Sequence, residues 1–122
     1  MKKKKRDFIP QSPIQKQLLS TFFSGFYLTH KDIVTIGKKI GLDLPYKKRA
    51  MILQDLFIEA EKLGKKKEVL LEFIKLTDFY IDIFKGFLVN YPNSAEVVNS
   101  WIQKVNSTKA LLQREMAGNP YE

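Results

Sequence analysis

Lys47, Lys48 and Arg49 stand side by side in this 122-residue chain, and together they have the makings of an anion site. They follow Asp43-Leu44-Pro45, a helix-opening sequence, and are therefore expected in that helix's first turn. Unpaired backbone N–H groups there attract negative charge and disfavour each cation by a few tenths to about 1 kcal/mol. Three cations held in such a place make a ready seat for a phosphate or carboxylate. A merely solvated basic face is the competing reading. Lys38 and Lys39 say less, because they close a helix, where cations are favoured anyway. Lys62, Lys65, Lys66 and Lys67 straddle a helix end and a helix start, an ambiguous position. A second basic group, Lys2, Lys3, Lys4, Lys5 and Arg6, could track a phosphate backbone or serve only as a solubilising terminus.

Catalytic chemistry is not expected. His30 is the only histidine, and its nearest acid, Asp32, lies two residues away in a helix start rather than in an oriented pair. Asp78 with Asp82, and Glu68 with Glu72, share a helical face. They lack the Glu-x-x-His pairing by which helical bundles hold two metals. No cysteine exists to supply a thiolate, a zinc ligand or a disulfide, and no glycine-rich phosphate loop is present. No metal or cofactor is expected. Phe79 falls among the polar residues Glu72, Lys75 and Asp82, and is the aromatic expected to reach solvent and touch a partner. Trp101, Tyr80, Tyr91 and the other phenylalanines sit at core spacing.

Charge points in the same direction. The net +8 divides as +5 over residues 1–29, +5 over 30–67 and −2 over 68–122, so the positive field belongs to the N-terminal half. This favours an anionic partner: nucleic acid, an acidic membrane surface or an acidic protein surface. No transmembrane segment is expected: the apolar run from Leu18 to Leu28 is short of the roughly 20 residues needed to span a bilayer. The absence of cysteine fits a cytoplasmic location.

These groups must be positioned by helices. The pattern predicts a flexible basic tail over 1–11, one domain over 12–118 and a C-terminal end over 119–122. Ser12-Pro13-Ile14-Gln15 starts a first helix, expected to run to Leu28, with Ile14, Leu18, Phe22 and Phe26 in one apolar row. Leu19, Phe23 and Tyr27 make a second row beside it. A short second helix starts at Thr29-His30-Lys31-Asp32, carries Ile33, Ile36, Gly37 and Ile40, and stops at Gly41. The third opens at Pro45, faces inward with Leu53, Leu56, Phe57, Ala60 and Leu63, and ends at Gly64. The fourth, Lys66 to Asn90, bears the seam Leu70, Ile74, Thr77, Ile81, Phe84, Leu88 and Tyr91 and is expected to be buried nearly all round. The fifth, capped at Asn93, carries Val98, Trp101, Val105, Thr108 and Leu112 and ends near Gly118. Short connections imply an all-α, antiparallel up-and-down helical bundle of four main helices plus one short helix.

Membrane-surface attachment through the basic tail beside the first helix is disfavoured, because that helix has few basic residues and is needed for the core. Two functions fit such a module better. One is nucleic-acid or nucleoprotein binding through the basic N-terminal half; the other is a protein adaptor or chaperone holding an acidic or helical segment. A sequence-reading helix-turn-helix is disfavoured, because Lys47 occupies a position that should be apolar and Pro45 intrudes. Pro45-Tyr46-Lys47-Lys48-Arg49 with Gln54, Ile58-Glu59-Ala60 and Asn99-Ser100-Trp101-Ile102 resembles a family of small four-helix-bundle proteins. Its members are the ribosomal-RNA intervening-sequence proteins and the accessory proteins of retroelements. The resemblance, over about residues 44–102, implies a basic homo-oligomeric bundle that assists a nucleic-acid enzyme, with Lys48 and Arg49 on its positive surface.

Overall fold

The computed structural model of the chain describes residues 12–118; the expected tail, with Lys2, Lys3, Lys4, Lys5 and Arg6, lies outside the described residues. Among the described residues the fold is all-α. Six α-helices form: α1 (Pro13–Leu19), α2 (Thr21–Ser24), α3 (His30–Lys39), α4 (Arg49–Leu63), α5 (Lys66–Asn90) and α6 (Ala95–Met116). A 3-10 turn at Pro92–Ser94 joins the last two. None of these helices is long and apolar enough to cross a membrane.

The expected first helix is two. Ser12 caps α1 through its side chain, which accepts from the Gln15 N–H at 3.2 Å, but the helix stops after seven residues. Ser20 takes an extended conformation and caps α2 instead, accepting from the Phe23 N–H. Gln17 Nε2 bridges the break, donating to Phe23 O at 2.9 Å and to Thr108 Oγ1 at 3.0 Å. Breaking the helix turns its apolar row. Ile14, Leu18 and Phe26 are buried, whereas Phe22, Phe23 and Tyr27 face solvent, against expectation. Gly25 follows α2 in the left-handed region at φ 90° and lies so close to α6 that a Cβ would sit 2.7 Å from Val105 Cγ2.

Thr29 and Asp32 make a complete capping box at the start of α3. The third expected helix begins four residues late, at Arg49 rather than Pro45. Residues 42–48 fold back along α3: Leu44 is buried against Gly37, Tyr46 stacks on the His30 ring at 4.9 Å, and His30 Nε2 lies 2.8 Å from Lys47 O. These tethers keep the backbone extended past Pro45, so Lys47 precedes α4 and Lys48 is its N-cap residue. Leu63, expected inward, is exposed at the other end of α4. Gly64 in the left-handed region ends that helix, with Lys65 N–H donating to Ala60 O at 2.8 Å.

α5 and α6 pair along their lengths, tied by Lys66–Glu115 at 2.9 Å and Lys109–Asp78 at 2.7 Å. The core gathers Leu18 and Leu28 from the N-terminal segment, Ile33 from α3, and Ile52, Leu53 and Leu56 from α4. Val69, Leu70 and Phe73 of α5 and Val105 and Leu112 of α6 complete it. Burial on α5 stops at Phe84, so the expected all-round burial of this helix is corrected: Phe87 and Tyr91 are exposed. Helix length is the physical reason. At 1.5 Å per residue, 25-residue α5 outruns 15-residue α4 by about 15 Å.

Thr108 is the polar knot of the core. Buried on α6, its hydroxyl accepts from Gln17 and lies 3.2 Å from Ser24 O and 3.1 Å from Lys104 O. Thr108→Val keeps the shape and removes the knot, leaving the Gln17 amide and the Ser24 carbonyl short of a partner. The expected cost is about 1–2 kcal/mol, read as a lower urea midpoint with an unchanged slope.

Candidate nucleic-acid interface

Lys47, Lys48 and Arg49 do not converge. The Lys47 ammonium pairs with Asp55 Oδ2 at 3.1 Å. Arg49 turns inward: one guanidinium nitrogen donates to Leu28 O at 3.0 Å and another to Leu19 O at 3.2 Å. The same group lies 4.4 Å from the centre of the Tyr27 ring. Arg49 thus closes the C-terminal end of α1 and pins the strand of chain leading into α3. Of the three, Lys48 is exposed and has no ion pair among the described residues.

A basic groove forms elsewhere, between α3 and α5. The box at Thr29 fixes the start of α3, and buried Ile33 and Ile36 seat the helix on the core. That register sends Lys31, Thr35 and Lys39 outward over Glu72, Lys75, Leu76 and Phe79 of α5. The groove encloses about 400 Å³, a size suited to a flat ring. Phe79 is 57% exposed in it, as its place on the polar stripe of α5 predicts, and meets Tyr80 edge-on at 5.5 Å. Tyr80 stacks on Phe26 at 4.9 Å, anchoring this aromatic floor to the core.

Three cations and two carboxylates line the groove. Asp32 is engaged in the capping box, and Glu72 accepts from Lys39 at 2.9 Å and from Lys75 at 3.4 Å. The hydrogen bond from Lys39 is the main reason the Glu72 carboxyl is held below its ordinary value, with Lys75 adding to it against the opposing effect of burial. The Tyr80 hydroxyl is pushed up, first by burial and then by the Asp32 charge. Lys31 has no ion pair among the described residues. The groove therefore offers one free ammonium, two more held by a single carboxylate, and an aromatic face among them. Sequence reasoning placed Phe79 beside Lys75 on one helix but did not bring Lys31 and Lys39 to it; these approach from α3, some forty residues away. The i, i+4 spacing of Lys31 and Thr35 with Lys39 was the available signal.

Aromatics expected in the core also reach solvent on α5 and α6. Phe84 is buried and meets Trp101 at 5.5 Å and Phe87 at 6.1 Å, and Phe87 meets Tyr91 at 6.3 Å. Comparison with family models, with curated proteins and with solved structures gives no match to the chain. The resemblance to intervening-sequence and retroelement accessory proteins rests on the residues quoted for it alone.

Proposed function

We propose that this chain is a non-enzymatic nucleic-acid-binding module, and that single-stranded nucleic acid lies in the groove between α3 and α5. The scaffold is read as α1, α4, α5 and α6 packed up and down, with α3 as the side helix that forms one wall. The supporting observation is the exposed Phe79 ring between Lys31, Lys39 and Lys75. A base stacks on such a ring with about 1–3 kcal/mol, whatever its identity, while ammonium groups take the flanking phosphates. Lys48 adds positive charge outside the groove, and Lys2, Lys3, Lys4, Lys5 and Arg6, which lie outside the described residues, add to the positive charge of the chain. Assistance to a nucleic-acid enzyme, implied by the family resemblance, belongs to the same reading. The adaptor reading would instead use the exposed aromatics of α5 and α6.

Fluorescence anisotropy with single-stranded and duplex oligonucleotides across a salt series tests this. Phe79→Ala should weaken single-strand binding about tenfold and change duplex binding little. Glu72→Gln should tighten binding at low salt, because it releases two lysines at once. Acidification acts with the same sign: as pH falls through the lowered Glu72 value, the groove gains positive charge. The stability that Glu72 draws from its two lysines, present above the unfolded carboxyl's value, is lost in that same acidic range. Deleting residues 1–7 separates the tail's share. No binding at low salt removes this reading and promotes the adaptor.

A further inference from the structure

We infer that the overhanging end of the α5–α6 pair is the contact surface for a second copy of this chain. Phe26 is buried against Tyr80 of α5, and the adjoining Gly25 packs on α6 at Val105. Two to three turns farther along, a pocket is lined by Phe87 of α5, Tyr91 just past its end, and Val98 and Trp101 of α6. Tyr91 is 61% exposed, Trp101 38% and Phe87 37%. Phe22 of α2 extends the surface; it is 70% exposed and its ring lies 4.1 Å from Lys104 Nζ, one turn beyond Trp101.

Two observations select a second copy. The first is area. These rings and neighbouring Val97 expose about 500 Å² of mostly apolar surface, so two copies together can bury up to about 1,000 Å², the lower threshold of a specific interface. Tyrosine and tryptophan are also the residues that dominate binding energy at such surfaces. The second is charge. Residues 82–104 carry Asp82, Lys85, Glu96 and Lys104, a net of zero in a chain of +8. Like meets like here without repulsion, and an acidic partner has nothing to prefer. Two overhanging ends meeting face to face about a two-fold axis give each other there the cover that α1 and α4 give the rest of the α5–α6 pair. This inference stands apart from the nucleic-acid reading, which uses the groove between α3 and α5.

The test is sedimentation equilibrium of the full chain from micromolar to several hundred micromolar. Emission of Trp101, the single tryptophan, is followed over the same range. A dimer mass is expected, with emission moving to shorter wavelength as the dimer fills. Tyr91→Asp and Val97→Lys change residues exposed in the single chain, and each should loosen the dimer by about thirtyfold or more. Val89→Lys, on the opposite side of α5 from Phe87, should leave it intact. Circular dichroism checks that each variant keeps its helices; should Tyr91→Asp lose them, Val97→Lys decides. A monomer mass throughout, or a dimer that survives Val97→Lys, overturns the proposal.

Discussion

Arg49→Ala is expected to destabilise the fold by about 2–4 kcal/mol, a large fraction of what holds a domain of this size. The side chain ties together parts of the molecule far apart in sequence, donating to Leu28 O and Leu19 O and stacking over Tyr27. Hydrogen bonds from a charged donor contribute about 1.5–3 kcal/mol each, and water recovers part of that here because the site is only half-buried. Arg49→Lys should fall between, since a single ammonium cannot span both carbonyls with the planar fork of a guanidinium. Lys48→Ala, next door and unpaired, should change stability by less than about 0.5 kcal/mol. Urea unfolding with a constant slope checks all three. Stability unchanged in Arg49→Ala would return the guanidinium to the surface as an anion contact.

Gly25→Ala is the second large effect expected, about 3 kcal/mol or more. A left-handed backbone costs a non-glycine residue roughly 1–2 kcal/mol in itself. The rest is steric. The new Cβ would lie 2.7 Å from Val105 Cγ2 and 3.0 Å from both Lys104 Cβ and Trp101 O. The last belongs to the backbone of α6 and cannot rotate aside, so α2 or α6 must shift. Gly64 provides the control: it is also left-handed, at φ 69°, but has nothing within 4 Å of a built Cβ. Gly64→Ala should cost only the conformational share, and the difference between the two melting shifts isolates the close approach of α2 to α6. Equal shifts would show that this approach is not tight.

The all-α class was legible from apolar period alone, and so were ends marked by local chemistry. Thr29 with Asp32 at the start of α3, Gly64 at the end of α4 and Pro92 just past the end of α5 are capping and breaking residues that act on their own neighbours. What was hidden depends on distant partners. No glycine or proline marks the break at Ser20; it is held by Gln17 reaching Thr108 and by Arg49 reaching Leu19 O. Pro45 reads as a helix start, and only the contacts of Tyr46 and Lys47 with His30 show why the helix waits until Arg49. Periodicity names the inner face of α5 but not the length of the helices that cover it, so Tyr91 and Phe87 read as core. In the candidate groove, Phe79 could be found from its polar neighbours along α5, whereas Lys31 and Lys39 arrive by tertiary packing.

The contact between His30 and Lys47 also makes one side chain a double latch. A carbonyl oxygen can only accept, so the bond at 2.8 Å requires the proton on Nε2. The same ring lies against Tyr46 at 4.9 Å, so the first residue of α3 holds the segment before α4 by an edge and by a face. A single substitution at His30 therefore releases both contacts together and frees the backbone that delays the start of α4 to Arg49.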